Sequence, residues 1–268
     1  MPPGPVTVER RGGVGILTLA SPPANALDLL MVEALAAAIE TLGADPDVRV
    51  LLVRSALRLF AAGADLATVE GFMAADDRES FAAYLRQVNA TFDRFEALPQ
   101  PVVVALGGHA LGGGFELALA CDLRLAADSP GIKLGLPEAR LGLLPAAGGT
   151  QRLGRLVGRS RAFALLVPGR TLTPREAFDL GLVHRLVPAD ELGAESLAEA
   201  ERLADGPAEA YAAIKRCLVR GLDRNLAGGQ ALEFEAAMRL LRSPDAREGV
   251  AAFRERRAPR FGRGAGDA

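Results

Sequence analysis

The chain has 268 residues, half of them hydrophobic, enough to build one large domain or two modest ones around a sizeable core. Charged residues make up 24% and balance to a net charge of −2, so there is no basic footprint for nucleic acid. Cys121 and Cys217 stand far apart with no CxxC spacing, which argues against a disulfide framework or a zinc site and fits a reducing, cytoplasmic setting.

The opening "MPPGPVTVERRGG" lacks the apolar core of a signal peptide. No later run approaches the ~18 apolar residues of a membrane span, so no membrane partner is expected. "PVTVERR" and "VGILTLA" read as two strands of a hairpin turned at Gly12-Gly13. "SPPAN" is a loop. A helix then runs from about Asp28 to Leu42, with Met31, Leu35, Ala38, Ile39 and Leu42 on one face and Gly43 as its stop. "VRVLLVRS" at 48–55 is nearly continuous in apolar residues, the pattern of a strand buried on both faces.

"LFAAGADLATVEGF" turns through glycine into a helix that Asp65 is suited to cap. A long helix covers roughly 78–97, and "PVVVALGG" at 101–108 is a second buried strand. Glycines 112–114 lead into a short helix over 115–121, and "LRLAA" returns as a strand. This β-β-α rhythm recurs about three times by residue 150, although the units are too dissimilar to be read as a repeat from pattern alone. Beyond about 159 the pattern is helical except for a short "LVHRLVP" strand at 182–188. The expected organisation is an α/β core over 1–200 and a helical region over 201–268, with the "FGRGAGDA" tail disordered.

Several chemistries lack their residues. His109 and His184 are the only histidines and sit in separate strand-edge contexts, where each reads as a loop or satisfied core histidine. No GxSxG elbow is present, and the glycines at 107–114 match neither GxGxxG nor GxxxxGK[ST]. What remains is carboxylate chemistry beside glycine-rich backbone.

Glu116 lies in "ALGGHALGGGFELALACDLRLAA", between glycines and an apolar run that leaves it no polar face to join. Burying a carboxylate costs several kcal/mol unless something compensates it. Glu138 follows in "GLPEARLGLLPAAGGTQRL", where an ordinary loop acid after Pro137 is the simpler reading. Bare amides at helix N-termini are donors for developing negative charge, and glycine lets a ligand approach them. The amide of Ala64, ahead of the helix that starts at Asp65, and the amide of Gly113 both qualify, each following a buried strand. Taken alone, Gly112–Gly114 is a tight turn with close packing, and Asp65 is a helix cap.

"LFAAGADL", the Glu116 segment and "LPEARLGLLPAAGGTQRLGRLVG" together resemble the crotonase (enoyl-CoA hydratase/isomerase) superfamily. "PPANAL", "REAFDLGLVHRLVP" and "EGVAAFRERRAPRF" extend the resemblance, in order, over roughly residues 5–261. It implies a spiral of β-β-α turns with a helical C-terminal trimerisation region, and hence a homotrimer or a dimer of trimers. It implies an acyl-CoA substrate, with CoA entering as part of that substrate and no separate cofactor or metal. Ala64 and Gly113 would supply the two amides of an oxyanion hole, and Glu116 and Glu138 would be the catalytic acids of a hydratase. Ala62, Asp65 and Leu66 would contact substrate or CoA, and Phe253 and Arg256 would reach the CoA of an adjacent subunit. For the basic "FRERRAPR" segment, a helix end complementing its dipole competes with that role.

Ala67 stands where many members carry lysine, Ala146 where glycine is usual, and two residues are inserted near 128–131. None of these removes an expected catalytic group. Isomerases of the superfamily commonly keep only the acid matching Glu138, so Glu116 favours hydration over isomerisation. An isomerase or another crotonase-type acyl-CoA reaction is the nearer alternative, and a non-catalytic or RNA-binding homologue the remoter one.

Overall fold

The hairpin expected at the start is present in the computed structural model, which describes residues 4–262. β1 (Val6–Arg11) and β2 (Val14–Leu19) pair antiparallel, and Gly12 takes the left-handed φ of +57° that so short a turn requires. The chain continues through α1 (Leu29–Ala44), β3 (Val50–Ser55), α2 (Leu66–Ala74), α3 (Arg78–Ala97), β4 (Val102–Leu106), β5 (Ala110–Leu111) and α4 (Gly113–Ala120). Next come β6 (Leu123–Ala127), β7 (Leu134–Gly135), a 3-10 turn (Glu138–Leu141), α5 (Gly149–Val157), α6 (Arg159–Leu166) and β8 (Thr171–Leu172). The last elements are α7 (Pro174–Asp179), β9 (Arg185–Val187), α8 (Leu192–Ala204), α9 (Ala208–Gly221), α10 (Leu226–Leu240) and α11 (Pro244–Glu255).

Six strands form one sheet in the order β1-β2-β3-β4-β6-β9, parallel everywhere except the opening hairpin. β4 is buried along its whole length and β3 over its first four residues, as expected for strands covered on both faces. A smaller sheet, β5-β7-β8, consists of two-residue strands. Together they make the spiral. β4 joins the large sheet, β5 the small one, and α4 closes the turn; β6, β7 and the 3-10 turn repeat the move. β3 does the same in reduced form, with a single parallel bridge from Ala61 to Ala110 in place of a second strand.

Three expectations need correction. Gly43 does not stop α1, which runs on to Ala44 with Asp45 as its C-cap. Gly113 and Gly114 do not precede a 115–121 helix but form its first turn, because Gly112 is the N-cap and accepts the amides of Phe115 and Glu116; Cys121 then caps the helix at its end. The region beyond 159 is not helical apart from one strand, since Thr171–Leu172 pair with β7 as β8.

α8 packs on β3 and β4, whereas α9 pairs with α10 and touches α3. The link from α9 to the core is Lys215, whose buried Nζ donates to Phe95 O at 2.9 Å, Gln100 O at 3.1 Å and Asp122 Oδ2 at 2.6 Å. Of the "FGRGAGDA" tail, residues 263–268 lie outside the described residues, while the amide of Gly262 donates to Asp245 at 2.9 Å. Among the described residues no helix is long and apolar enough to cross a membrane.

Candidate active site

Two strand-to-helix turns meet. The β3–α2 connection ends at Gly63–Asp65, and the β5–α4 connection ends at Gly112–Gly113. Gly63 has φ +96°, and a Cβ there would lie 2.8 Å from Leu111 O and 3.2 Å from Gly113 N, so only glycine permits this approach. A Cβ on Gly113 would likewise lie 3.7 Å from Ala64 N. Among the described residues neither the Ala64 amide nor the Gly113 amide donates to a protein acceptor. Gly113 is the first residue of α4, so its amide is one of the unpaired donors at the positive end of the helix. Asp65 accepts from the amide of Thr68 at 2.9 Å, which makes it the cap of α2.

α4 carries Glu116 into the interior, 2% exposed. Its Oε1 accepts the amides of Ala147 at 2.8 Å and Gly149 at 2.7 Å, both from the start of α5 and the loop before it. Burial nevertheless dominates and, with help from the nearby Glu138 charge, pushes the carboxyl up to about 7; the two amides and Arg152 hold it back. Glu138 opens the 3-10 turn, and a Cβ on Gly112 would lie 2.9 Å from its Oε1. Its Oε2 is buried without a partner, and burial raises its pKa as well. Residues 128–131 lie in the turn between β6 and β7, ahead of the 3-10 turn that Glu138 opens.

Ala64, Gly113, Glu116 and Glu138 line one cavity of about 420 Å³. Its remaining walls are apolar, from Leu27, Val69, Phe81, Leu85, Val88 and Leu144 among others, and Ala146 is part of them. The arrangement offers two convergent backbone donors, two acids with raised affinity for protons, and a slot with largely apolar walls. Such a set can stabilise an oxyanion while moving a proton at a neighbouring carbon.

The sequence model of the family described as enoyl-CoA hydratase/isomerase matches residues 9–264. The chain belongs to that family. It is 41% identical over 242 residues to the mitochondrial enoyl-CoA hydratase domain-containing protein 2 of Mus musculus, covering 88% of this chain and 80% of the mouse protein. The crystal structure of enoyl-CoA hydratase from Bacillus anthracis superposes with a TM-score of 0.89 at 35% identity, covering 96% of this chain and 98% of that one. An enoyl-CoA hydratase/carnithine racemase from Magnetospirillum magneticum gives 0.87 at 35% identity, covering 96% and 95%. The crotonase-type fold expected from the sequence is therefore the fold of this chain.

The other residues that family resemblance marked do not line the cavity of the acids. Ala62 and Leu66 lie exposed on the rim of the β3–α2 turn, and the Ala62 amide is already bonded to Ala24 O at 3.0 Å. Phe253, 87% exposed, and Arg256, which caps α11 in a left-handed conformation, are likewise outside it. His109 and His184 each accept a backbone amide through Nδ1, from Lys133 and Arg124 respectively, which fits satisfied structural histidines. Among the described residues no group of three or more His, Cys, Asp or Glu side chains is placed to hold a metal.

Four residues that shape the site were not singled out from the sequence, although Asn25 and Arg152 lie within motifs that carry the resemblance. The Tyr84 hydroxyl donates to Leu27 O at 2.6 Å, and Leu27 N donates to Gly63 O at 2.8 Å, tying the Ala64 turn to α3. Asn25 is fully buried and bonds Ser21 N, Ser55 Oγ and Phe60 O, fixing the loop that carries Leu27. Asn89 donates to Ala146 O at 2.8 Å, and Arg152 donates to Ala147 O at 2.9 Å.

Proposed function

We propose that this chain adds water across the 2,3 double bond of a 2-enoyl-CoA thioester to give a 3-hydroxyacyl-CoA. The observation that carries the reading is the convergence of Glu116, Glu138 and the free amides of Ala64 and Gly113 on one apolar cavity. The thioester oxygen accepts both amides and takes up negative charge as the oxygen of water bonds to C3. One carboxylate takes a proton of that water as the other carboxyl delivers one to C2, and a proton passing from the first acid to the second returns both to their starting states. A carboxyl near neutrality is suited to both halves of that exchange, because its proton is neither held nor lost too firmly at pH 7. CoA enters with the substrate, and the reaction calls for no separate cofactor. Ala62, Asp65 and Leu66 on the rim are the proposed neighbours of the CoA portion.

The helices from α9 onward leave Leu218, Leu222, Leu226, Phe234, Leu241 and Phe253 exposed. Such a surface supports a homotrimer or dimer of trimers in which Phe253 and Arg256 serve the neighbouring site. Light scattering that finds a monomer at micromolar concentration defeats this part.

The activity itself is tested with Glu116→Gln and Glu138→Gln, which keep size and polarity but cannot exchange a proton. Each is expected to cut hydration by about 10²–10⁴-fold. Ala64→Pro, which deletes one amide, should cost at least about 10²-fold if the fold persists by circular dichroism. A 3-enoyl-CoA separates hydration from double-bond migration, because a single base can carry a proton between C2 and C4. Glu116→Gln should lose hydration and keep most of any isomerase side activity, whereas Glu138→Gln should lose both. Parental hydration by Glu116→Gln makes Glu116 a structural acid and ends the hydratase reading.

A further inference from the structure

The loop before α5 is bonded on two sides. The Ala147 N–H and the Gly149 N–H point to Glu116 Oε1, while the Ala147 carbonyl accepts Nη1 of Arg152 at 2.9 Å. Arg152, 8% exposed, is fixed in turn by Asp93 Oδ1 at 2.7 Å and Glu96 Oε2 at 3.0 Å, both on α3. One continuous chain of hydrogen bonds therefore runs from the acid, through a single residue, to a guanidinium clamped by two carboxylates. The guanidinium packs directly against Gly148, which sits at φ +91° and where any Cβ would overlap it.

We propose that Arg152 is a positioning residue for Glu116, its guanidinium fork holding the Ala147 peptide so that two amides stay aimed at Oε1. The inference rests on the acid–base role proposed for Glu116. Arg152 acts in two separable ways. Its planar fork spans the Ala147 carbonyl and the α3 acids, which a lysine's single ammonium cannot do in the same geometry. Its charge, two bonds of the chain away from the carboxylate, favours the ionised form of Glu116 against burial. Glu138 faces Glu116, Asp93 and Glu96 face Arg152, and Asp122, Arg124, Arg155 and Asp223 line a second cavity together with Arg152.

The test compares the parent with Arg152→Gln and Arg152→Lys in kcat/KM for a 2-enoyl-CoA across pH 5–9. Arg152→Gln loses fork and charge, so the limb reporting Glu116 should move up by about one pH unit, together with at least a tenfold fall at the optimum, the low end of what misplacing a catalytic group costs. The upward direction holds whether Glu116 acts from its ionised or its protonated form. Arg152→Lys keeps the charge, so its limb should stay at the parental pH while turnover still falls. A folded Arg152→Gln whose activity drops equally at every pH, with the limb unmoved, reduces Arg152 to a structural clamp and overturns the proposal. Should Arg152→Gln fail to fold, Arg152→Lys decides alone, since parental turnover there shows that the fork is not needed. Parental hydration by Glu116→Gln is a different failure, because it removes the acid–base reading itself.

Discussion

Replacing Glu116 by Gln should damage the enzyme and stabilise the protein, and the second effect should depend on pH. In the folded chain the carboxyl titrates at about 7, against 4.5 for the free side chain. The folded state thus holds its proton more tightly than the unfolded state, a difference of about 3 kcal/mol. Below pH 4.5 both states are protonated and nothing is lost. As the pH rises the unfolded chain sheds its proton first, the folded chain keeps it until about 7, and stability falls through that window. Gln has no proton to shed, and its side-chain oxygen can still accept the Ala147 and Gly149 amides.

Glu116→Gln should therefore gain only about 1 kcal/mol over the parent at pH 5 and about 3 kcal/mol at pH 8.5. For a domain near this size each kcal/mol raises the melting temperature by roughly 2–4 °C. Allowing for relaxation around the charged form, a gain of roughly 4–8 °C at pH 8.5 is expected. Thermal unfolding of both proteins at the same concentration and at the two pH values reads it directly. An equal shift at both pH values, or a loss at pH 8.5, would show that the amides already hold Glu116 ionised in the resting protein, and the reasoning from burial would be refuted.

Gly149→Ala would place a Cβ 2.7 Å from Glu116 Oε1 and 2.8 Å from both Leu136 and Pro145; unfolding in urea should show a loss of about 1–3 kcal/mol, with hydration reduced further than stability. Lys215→Met removes the buried partner of Asp122 and should cost about 3–5 kcal/mol, and the added change Asp122→Asn should recover part of it; a double variant less stable than the single one would mean that Asp122 does not depend on Lys215.

Much of the frame was legible because its signals are local. β3 and β4 announce themselves as nearly continuous apolar runs, and α3 spans Arg78–Ala97, the range its pattern suggests. Glu116 was legible for the opposite reason: an acid with no polar neighbours in its own helix has to be accounted for. The two-residue strands β5, β7 and β8 were not legible, since two residues have no periodicity and exist as strands only through their pairing. Tyr84 and Arg152 were hidden in the same sense. Neither stands out within its own segment, and its meaning lies in a partner 57 residues away at Leu27 or 59 away at Asp93.

Those hidden contacts share one helix, and that sharing has a physical consequence. On α3, Tyr84 holds Leu27, which holds Gly63 and so the Ala64 amide. One to three turns further along the same helix, Asn89 holds Ala146, while Asp93 and Glu96 hold Arg152 and so the loop that cradles Glu116. The Ala64 amide and the Glu116 carboxyl are thus both referenced to a single helix rather than to each other. The Ala64 amide lies in a turn, and the Gly113 amide at a helix start, which leaves both without a backbone acceptor among the described residues. Loops alone would not hold them within the few tenths of an ångström that hydrogen-bonded proton transfer tolerates. The side of α3 that carries Leu85 and Val88 also lines the apolar cavity, so a chain seated there packs against the same helix that aligns the amide and the acid.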